Sequence, residues 1–552
     1  MEESKYHKKG DRKPVFLDNY YTNQDYEEVM EKLPIIIKEA KKKSSEVLEP
    51  TIHEKRAVNK IILEFAGSKG RPVYGGTALN EALLLVNKND AIYDNYNFSD
   101  IEFYSPKPVV DLVELCNLLH EKGFKYIQGR SAQHEETFSI FVNFQLYCDI
   151  TYVAKRVYDG IKTFKVNGVK YVDPHFMLID YLRMVNQPLT AAEQRWEKAF
   201  KRMFVLLKNY PLEYYGKNVN LPEPEKEIRT YQKDIKEIFI MDAEVQKSCL
   251  LTGFEAFNFY IKYAMNDKSM ETVPSRVYHQ LNLDKFLTNV PYLEFVSVSY
   301  KSTVEKLYNF IKNMVPDPKE IVLEEYFPLF QFTGYSIVFK YKNMPIAKVY
   351  EADGYCVPSV KTNKGYMFVS YQYLLMSMLI NKFRAHLDKD REMYFNYGFA
   401  ISNLVTARNE YLTKKNLGVI NKSIFSEFRI PCVGTTQSYI REAQLRYMES
   451  SKHGRKPFKY DPQAFFKLSK ESQEKFDPNR YPPFKNTSGN VIMNPKNTLF
   501  MIDENNNIIE NIYDKNSETN EEISSNERTQ KSDTDLSEDD SQFDQTISQS
   551  DK

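Results

Sequence analysis

The chain has 552 residues, 42% hydrophobic and 14% aromatic, which excludes a single small core and suits about three or four domain-sized units. Its formal net charge is zero, but residues 1–502 carry 71 bases against 60 acids and residues 503–552 carry 4 against 15, so a mildly basic body that suits a polyanionic partner precedes an acidic tail. No apolar run reaches the about 18 residues of a membrane span, the charged start reads as no secretory signal, and five scattered cysteines without a CxxC predict reduced intracellular thiols rather than a zinc site or disulfide framework.

Residues 1–25 are polar. A helical pattern runs from Tyr26 to about Phe65, with Lys41-Lys42-Lys43 on a solvated face. Pro72-Val73-Tyr74 then leads into Gly75-Gly76-Thr77, and Ala78 to Val86 is apolar and helical. Ile101 to Tyr104 reads as a strand, and Val109 to Leu119 as a helix with apolar residues at 109, 112, 113, 115, 118 and 119. Phe138 to Phe144 and Tyr147 to Val153 read as paired strands. Ala191 to Leu207 is an amphipathic helix carrying Arg195, Lys198, Lys201 and Arg202, with Lys208 just beyond. Pro222-Glu223-Pro224 reads as a linker. Past Asn505 the Asn/Ser/Asp/Glu-rich composition predicts disorder. These shifts divide the chain into a mostly helical segment at 1–65, units at 66–220 and 225–500, and an acidic tail at 503–552.

The chemistry-bearing residues lie in the 66–220 unit. Asp100 and Glu102 are two apart on a predicted strand, so both carboxylates leave one face while Ile101 points into the core. In Tyr147-Cys148-Asp149-Ile150-Thr151, Asp149 shares a face with Tyr147 and Thr151. Three carboxylates from two neighbouring strands repel one another unless cations lie between them. Hard oxygen ligands select Mg²⁺ or Mn²⁺, and two such ions about 3.5–4 Å apart serve nucleotidyl transfer. Gly75 and Gly76 let backbone N–H groups approach a triphosphate closely, and the helix that follows favours an anion at its start. Thr77 either caps that helix or touches a phosphate oxygen. A glycine pair or a DxE pair alone is commonplace. The weight lies in the series of glycines, DxE about 25 residues on and a third acid in an apolar strand about 50 further on.

Other positions are weaker. Arg130 and Ser131 are placed in a loop between a helix and a strand, where solvation is the ordinary reading. Lys155, Arg156, Lys162, Lys165 and Lys170 crowd the segment after Asp149 and read mostly as surface charge. The basic 195–208 face either tracks a nucleic-acid backbone or is simply solvated. Lys452, His453, Arg455, Lys456 and Lys459, interleaved with Phe458 and Tyr460, form the best basic-aromatic cluster for a single strand. The eight histidines show no ligand spacing, and His134 and His175 read as structural.

The second half echoes the first. Thr252-Gly253-Phe254 precedes an apolar helical run, as Gly75-Gly76-Thr77 does. Val296-Ser297-Val298-Ser299-Tyr300 is aligned with Asp100 to Tyr104, Tyr335 to Phe339 with Phe138 to Val142, and Pro345 to Tyr350 with Tyr147 to Tyr152. Both halves close on a helix, Phe176 to Met184 and Tyr371 to Phe383. Asp100 to Asp149 spans 49 residues and Ser297 to Lys348 spans 51. The expectation is a duplicated unit whose second copy has lost its acids. Serines and a lysine hold no divalent ions, which leaves that copy a structural or RNA-binding role.

The stretch from Tyr74 to Leu207 resembles the DNA polymerase β-like nucleotidyltransferases. More narrowly, Gly75-Gly76-Thr77-Ala78-Leu79-Asn80, Ser99-Asp100-Ile101-Glu102-Phe103, Cys148-Asp149-Ile150-Thr151 and Tyr171-Val172-Asp173-Pro174, with the Tyr181 to Met184 helix, are similar to the poly(A) polymerase catalytic subunits of large nucleocytoplasmic DNA viruses. The giant-virus type is nearer than the poxvirus type. The resemblance implies an α+β nucleotidyltransferase fold, a mixed sheet with flanking helices, followed by a degenerate second copy. It implies template-independent addition of AMP from ATP to the 3′ end of mRNA, with Asp100, Glu102 and Asp149 as ligands of two Mg²⁺ or Mn²⁺ ions and Gly75, Gly76 and Thr77 at the nucleotide. Glu102 stands where poxvirus-like members carry Asp, which leaves metal preference open. The resemblance also implies a protein of the host cytoplasm (the viral factory) or the virion that is homodimeric or works with a processivity subunit. The alternatives are another RNA nucleotidyltransferase, adding CCA, uridylates or 2′–5′ linkages, and a non-catalytic RNA-binding scaffold.

Overall fold

Ile101 and Phe103 are almost wholly buried, whereas Glu102 between them is not, and this alternation fixes how the first sheet sits. One face packs on helices and the other carries the polar residues. The computed structural model describes residues 20–94, 96–134, 136–265, 283–452, 458–480, 500–502 and 508–511.

The first half begins with α1 (Asn23–Val47), opened by a Thr22–Asp25 capping box, and α2 (Ile52–Lys69), closed by left-handed Gly70. Then follow β1 (Pro72–Tyr74), α3 (Gly75–Val86), β2 (Ile101–Ser105), α4 (Pro108–Glu121), β3 (Gln128–Ser131), β4 (Thr137–Val142) and β5 (Gln145–Tyr152). After these come α5 (Lys155–Gly160), β6 (Thr163–Val166), β7 (Val169–Val172), α6 (Pro174–Val185) and α7 (Ala192–Asn209). The second half runs α8 (Lys226–Asp234), β8 (Cys249–Thr252), α9 (Gly253–Met265), β9 (Leu293–Ser297), α10 (Tyr300–Met314), β10 (Ile321–Tyr326), β11 (Ser336–Tyr341) and β12 (Met344–Glu351). It continues with β13 (Val357–Lys361), β14 (Met367–Val369), α11 (Tyr371–Leu387), α12 (Arg391–Lys414), β15 (Cys432–Val433), α13 (Tyr439–Lys452) and β16 (Lys459–Tyr460).

Two eight-stranded mixed sheets result, ordered β16-β3-β4-β5-β2-β1-β7-β6 and β10-β11-β12-β9-β8-β14-β13-β15. From β3 to β6 and from β10 to β13 the orders correspond strand for strand. In each half the pairing of the second strand with the fifth is parallel, and both hairpins carry a register shift at the same place. The fold is therefore α+β with a duplicated nucleotidyltransferase-like sheet.

Helices α2 and α4 cover the apolar face of the first sheet, where Phe65 meets Phe103 with ring centroids 6.4 Å apart. Helix α6 packs on α11, and Phe176 meets Phe383 at 5.0 Å, so the halves share a core. The Pro222 segment is pinned rather than loose: Asn220 N–H donates to the Asn396 amide oxygen and the Asn396 amide donates back to the Asn220 carbonyl.

Several expectations are corrected. The 65/66 boundary falls inside α2, which belongs to the first sheet's core. The duplicated strand is misaligned by four residues. Leu251 pairs with Phe295 and Thr252 with Glu294, as Val73 pairs with Phe103 and Tyr74 with Glu102, so Tyr292-Leu293-Glu294 stands where Asp100-Ile101-Glu102 stands. The serines at 297 and 299 instead end β9 and precede α10. Cys356 and Cys432 form a disulfide, brought to a Cα separation of 5.5 Å by the β13–β15 pairing although 76 residues apart. Cysteine spacing carries no trace of a pairing that a late strand makes. A separate two-stranded ribbon, Phe500–Ile502 with Ile508–Asn511, enters the segment expected to be structureless, and the rest of that tail lies outside the described residues.

Candidate active site

Three adjacent strands assemble the acids. Glu102 on β2 lies opposite Asp149 on β5 on one side and opposite Tyr74 of β1 on the other. Asp100 precedes β2 and feels both other acids. Cys148 and Ile150, fully buried, point to the helices, leaving Asp149 on the same face as Glu102. Burial, then repulsion from Asp100 and Asp149, pushes the Glu102 carboxyl up to about 8. Burial raises Asp149 to about 6, against a 2.5 Å hydrogen bond donated by Ser139 Oγ, with repulsion from Asp100 adding to the rise. Ser99 Oγ donates to the Asp100 carboxylate.

The glycine turn lies against this cluster. Gly75 has φ +69°, and a Cβ on it would stand 1.7 Å from Glu102 Oε2. The Gly76 N–H donates to Glu102. A Cβ on Gly76 would stand 2.2 Å from the Tyr93 hydroxyl and 2.9 Å from Arg202 Nη2. Thr77 does not cap α3: Tyr74 is the cap residue, and Thr77 Oγ1 donates to the Asp100 carbonyl at 3.4 Å.

Arg202 is the residue the sequence left undistinguished. It donates to the Tyr93 hydroxyl at 2.7 Å, and its charge opposes the rise of Glu102. The buried stripe of α7 is Ala199, Met203 and Leu206, and Arg202 flanks it, which is the one signal that separates it from the solvated lysines of that helix.

The donor set fits hard divalent cations: three carboxylates on one face, two of them raised by burial, with the Arg202 charge acting against the rise at Glu102. Among the described residues, no three such side chains are yet gathered tightly enough to enclose an ion. A cavity of about 270 Å³ lies elsewhere, between α6 and the second sheet near Phe330 and Tyr350. A cavity of about 210 Å³ opens beside Asp100.

The weaker candidates do not join the site. Arg130 lies in β3, not a loop, over the Phe141 ring at 4.2 Å, and Ser131 N–H donates to the Phe458 carbonyl. Arg156 pairs with Asp388, and Lys162 donates to the Tyr394 hydroxyl, so both tie α5 and its loop to the second half. Lys155 pairs with Asp159. Phe458 and Tyr460 are 5% and 4% exposed, so neither offers a stacking face, while His453, Arg455 and Lys456 lie outside the described residues. His175 bonds the Tyr210 and Pro211 carbonyls, a structural role.

In the second half Gly253 has φ +60°, and a Cβ there would stand 2.0 Å from Glu294 Oε1, repeating the first turn. Glu294 faces Lys348 across the strands, where Glu102 faces Asp149. Tyr350 donates to Glu294 at 2.9 Å. One acid is thus retained and one replaced by a lysine.

A family model described as "Poly(A) polymerase catalytic subunit" matches residues 60–191, and one described as "APMV, Putative poly(A) polymerase, catalytic subunit, C-terminal" matches residues 226–502. The chain is 55% identical over 515 residues to the "Putative poly(A) polymerase catalytic subunit" of Acanthamoeba polyphaga mimivirus, covering 91% of this chain and 88% of that protein. A protein of the same name from African swine fever virus is 30% identical over 164 residues, 29% of this chain and 34% of that one. The crystal structure of the Megavirus polyadenylate synthase superposes with a TM-score of 0.85 at 57% identity, covering 91% of this chain and 99% of that one. With these matches spanning both sheets, the chain belongs to the viral poly(A) polymerase catalytic subunit family.

Proposed function

We propose that this chain is a polynucleotide adenylyltransferase that adds AMP from ATP to the 3′ end of RNA without a template, and that the first sheet with its helices carries the reaction. The observation that supports the reading is that Glu102 and Asp149 stand opposite each other on neighbouring strands, with Asp100 just before β2, beside the Gly75-Gly76 turn. Asp100, Glu102 and Asp149 would hold two Mg²⁺ or Mn²⁺ ions, which activate the attacking hydroxyl and neutralise the pyrophosphate when bound. Gly75 and Gly76 leave room for the triphosphate at the start of α3. Arg202 supplies positive charge at that turn for the leaving group. Glu102 takes its place through the Gly76 N–H, which anchors the carboxylate to the turn.

The second sheet, within residues 225–500, serves as scaffold: a lysine occupies the position of the third acid. No helix among the described residues is long and apolar enough to cross a membrane. The site in the host cytoplasm acts on RNA either as a homodimer or beside a processivity subunit, which sedimentation of the purified chain distinguishes. The decisive experiment incubates the protein with an oligo(A) primer, Mg²⁺ or Mn²⁺, and each NTP separately. Extension with ATP alone, abolished by Asp149→Ala, is expected. Extension by CTP or UTP points to the other RNA nucleotidyltransferases, and no extension at all leaves only an RNA-binding role.

A further inference from the structure

The two copies differ in one loop that reaches across the molecule. Nine residues, 327–335, join β10 to β11, against five, 132–136, between the corresponding β3 and β4. Within the longer loop Phe330 takes φ +51°, a left-handed conformation that is costly for a bulky side chain, and its ring is 4% exposed. Such a conformation persists only where its surroundings hold it, and it is found where a function uses it. The loop is held from both ends. Leu329 and Thr333 bridge as in an antiparallel pair, the Phe332 N–H donates to the Leu329 carbonyl, and Arg384 Nη2 donates to Thr333 Oγ1 at 3.1 Å. Arg384 is the same cation that acts on Glu294.

The Phe330 ring packs on the first half. It meets Tyr104 of β2 nearly perpendicular, with centroids 5.5 Å apart and planes at 87°. Tyr104, 2% exposed, in turn stacks flat on Tyr74, at 4.0 Å and 2°. The Tyr74 hydroxyl lies 2.8 Å from Thr151 Oγ1, so the Tyr74 ring is laid from β1 across β2 to β5. Tyr74 stands opposite Glu102 and is the cap residue that precedes Gly75. Three rings thus join the loop of the second copy to the strand of Glu102 and to the glycine turn. Phe330 also lines the cavity of about 270 Å³, so removal of its ring enlarges a space that is already there.

We propose that Phe330 is a positioning residue for the reaction: through the Tyr104–Tyr74 stack it holds the Gly75-Gly76 turn and Glu102 in place for ATP. The second copy thereby takes part in the chemistry of the first without touching a substrate. Burial of a bulky residue in a strained backbone is what gives the stack a fixed wall to rest on. The proposal rests on the acids at 100, 102 and 149, beside the glycine turn, being the reaction centre.

The test compares Phe330→Leu, which keeps an apolar side chain and removes the ring, with the full chain in primer extension well below the melting temperature of either. The KM for ATP, the KM for oligo(A) and kcat are measured separately. A loosened turn grips the triphosphate less well and misplaces Glu102. The KM for ATP is therefore expected to rise and kcat to fall, with kcat/KM for ATP about tenfold lower, short of the on the order of 10²-fold of a full 1 Å displacement. The KM for oligo(A) should stay where it was. A variant that is merely less stable lowers the active fraction, which reduces the apparent kcat and moves neither KM. Phe339→Leu is the control: Phe339 is wholly buried in β11 of the same sheet, and its loss should lower the melting temperature and leave the KM for ATP alone. An unchanged KM for ATP in Phe330→Leu, or an equal rise in Phe339→Leu, overturns the proposal. Asp149→Ala separates the two layers: if it still extends the primer, the reaction centre is elsewhere and the proposal falls with it. If it is inactive while Phe330→Leu binds ATP as before, only the positioning role falls.

Discussion

Gly75 is held at φ +69° with Glu102 Oε2 in the space a side chain would fill, so its replacement is felt directly by the acid cluster. Gly75→Ala strains the backbone by about 1–3 kcal/mol and pushes the Glu102 carboxylate aside. A displacement of about 1 Å at a reacting centre costs on the order of 10²-fold in rate, and kcat/KM for ATP addition is expected to fall by about that factor. Gly253→Ala makes the same backbone error in the second copy, at φ +60° against Glu294. It should lower the melting temperature comparably and leave the kcat of the folded protein near its original value. Equal losses of activity in the two variants would count against the reading of one working site. Arg202→Gln shortens the side chain and removes its charge from the turn. The KM for ATP is expected to rise about tenfold, as loss of a charge-assisted contact to phosphate does. An unchanged KM with reduced kcat would move Arg202 from ground-state binding to the transition state.

A strand's two faces explain what was legible at the element scale. The period of two in Asp100-Ile101-Glu102 and in Tyr147 to Thr151 put all three acids on one face, because buried Ile101, Cys148 and Ile150 leave no other choice. The same rule failed at 296–300, where alternating valines and serines resemble a strand but Ser297 ends β9 and Tyr300 begins α10. Only the cross-strand register, which no local pattern contains, identifies Glu294. Arg130 and Phe458 were misread for a similar reason: β16, distant in sequence, covers the β3 edge. The three-acid face also sets a pH response. Glu102 and Asp149 titrate near 4.5 and 3.8 when unfolded and near 8 and 6 in the fold. The metal-free fold then binds more protons than the unfolded chain across this window, so its stability falls as pH rises from about 4 through 8. Divalent cations oppose the same charges. Addition of Mn²⁺ to chelator-treated protein is expected to raise the melting temperature more at pH 8 than at pH 6, and Glu102→Gln to flatten that difference. Equal increments at both pH values would show that the acids do not meet the ion.

Across the whole molecule, two sheets of one design solve the problem of a buried glutamate differently. In the first, Glu102 faces Asp149, and the proposed metal ions would offset their charges. In the second, Glu294 is 2% exposed and faces Lys348, itself 8% exposed, with Arg384 close by and the Tyr350 hydroxyl as donor. Burial favours the neutral forms of both members of this pair, and the mutual attraction of their charges opposes it. Lys348 also lies 4.7 Å from the centre of the Tyr350 ring, so its position is fixed by packing as well as charge. Internal cations thus stand where the first copy would take ions. Removing one partner of a buried pair strands the other, at a cost of about 3–5 kcal/mol, whereas replacing both by apolar or neutral groups of similar size is often neutral. Lys348→Met should therefore lower the urea midpoint sharply, and the double variant Glu294→Gln/Lys348→Met should recover most of the loss. Because α6 packs on α11 and Arg156 pairs with Asp388, unfolding of the second sheet should carry the first with it, so primer extension is lost at the same urea concentration as the fluorescence change. Activity that outlasts the unfolding of the second sheet, or a double variant no more stable than the single, would show that the scaffold and the reaction centre are not joined in this way.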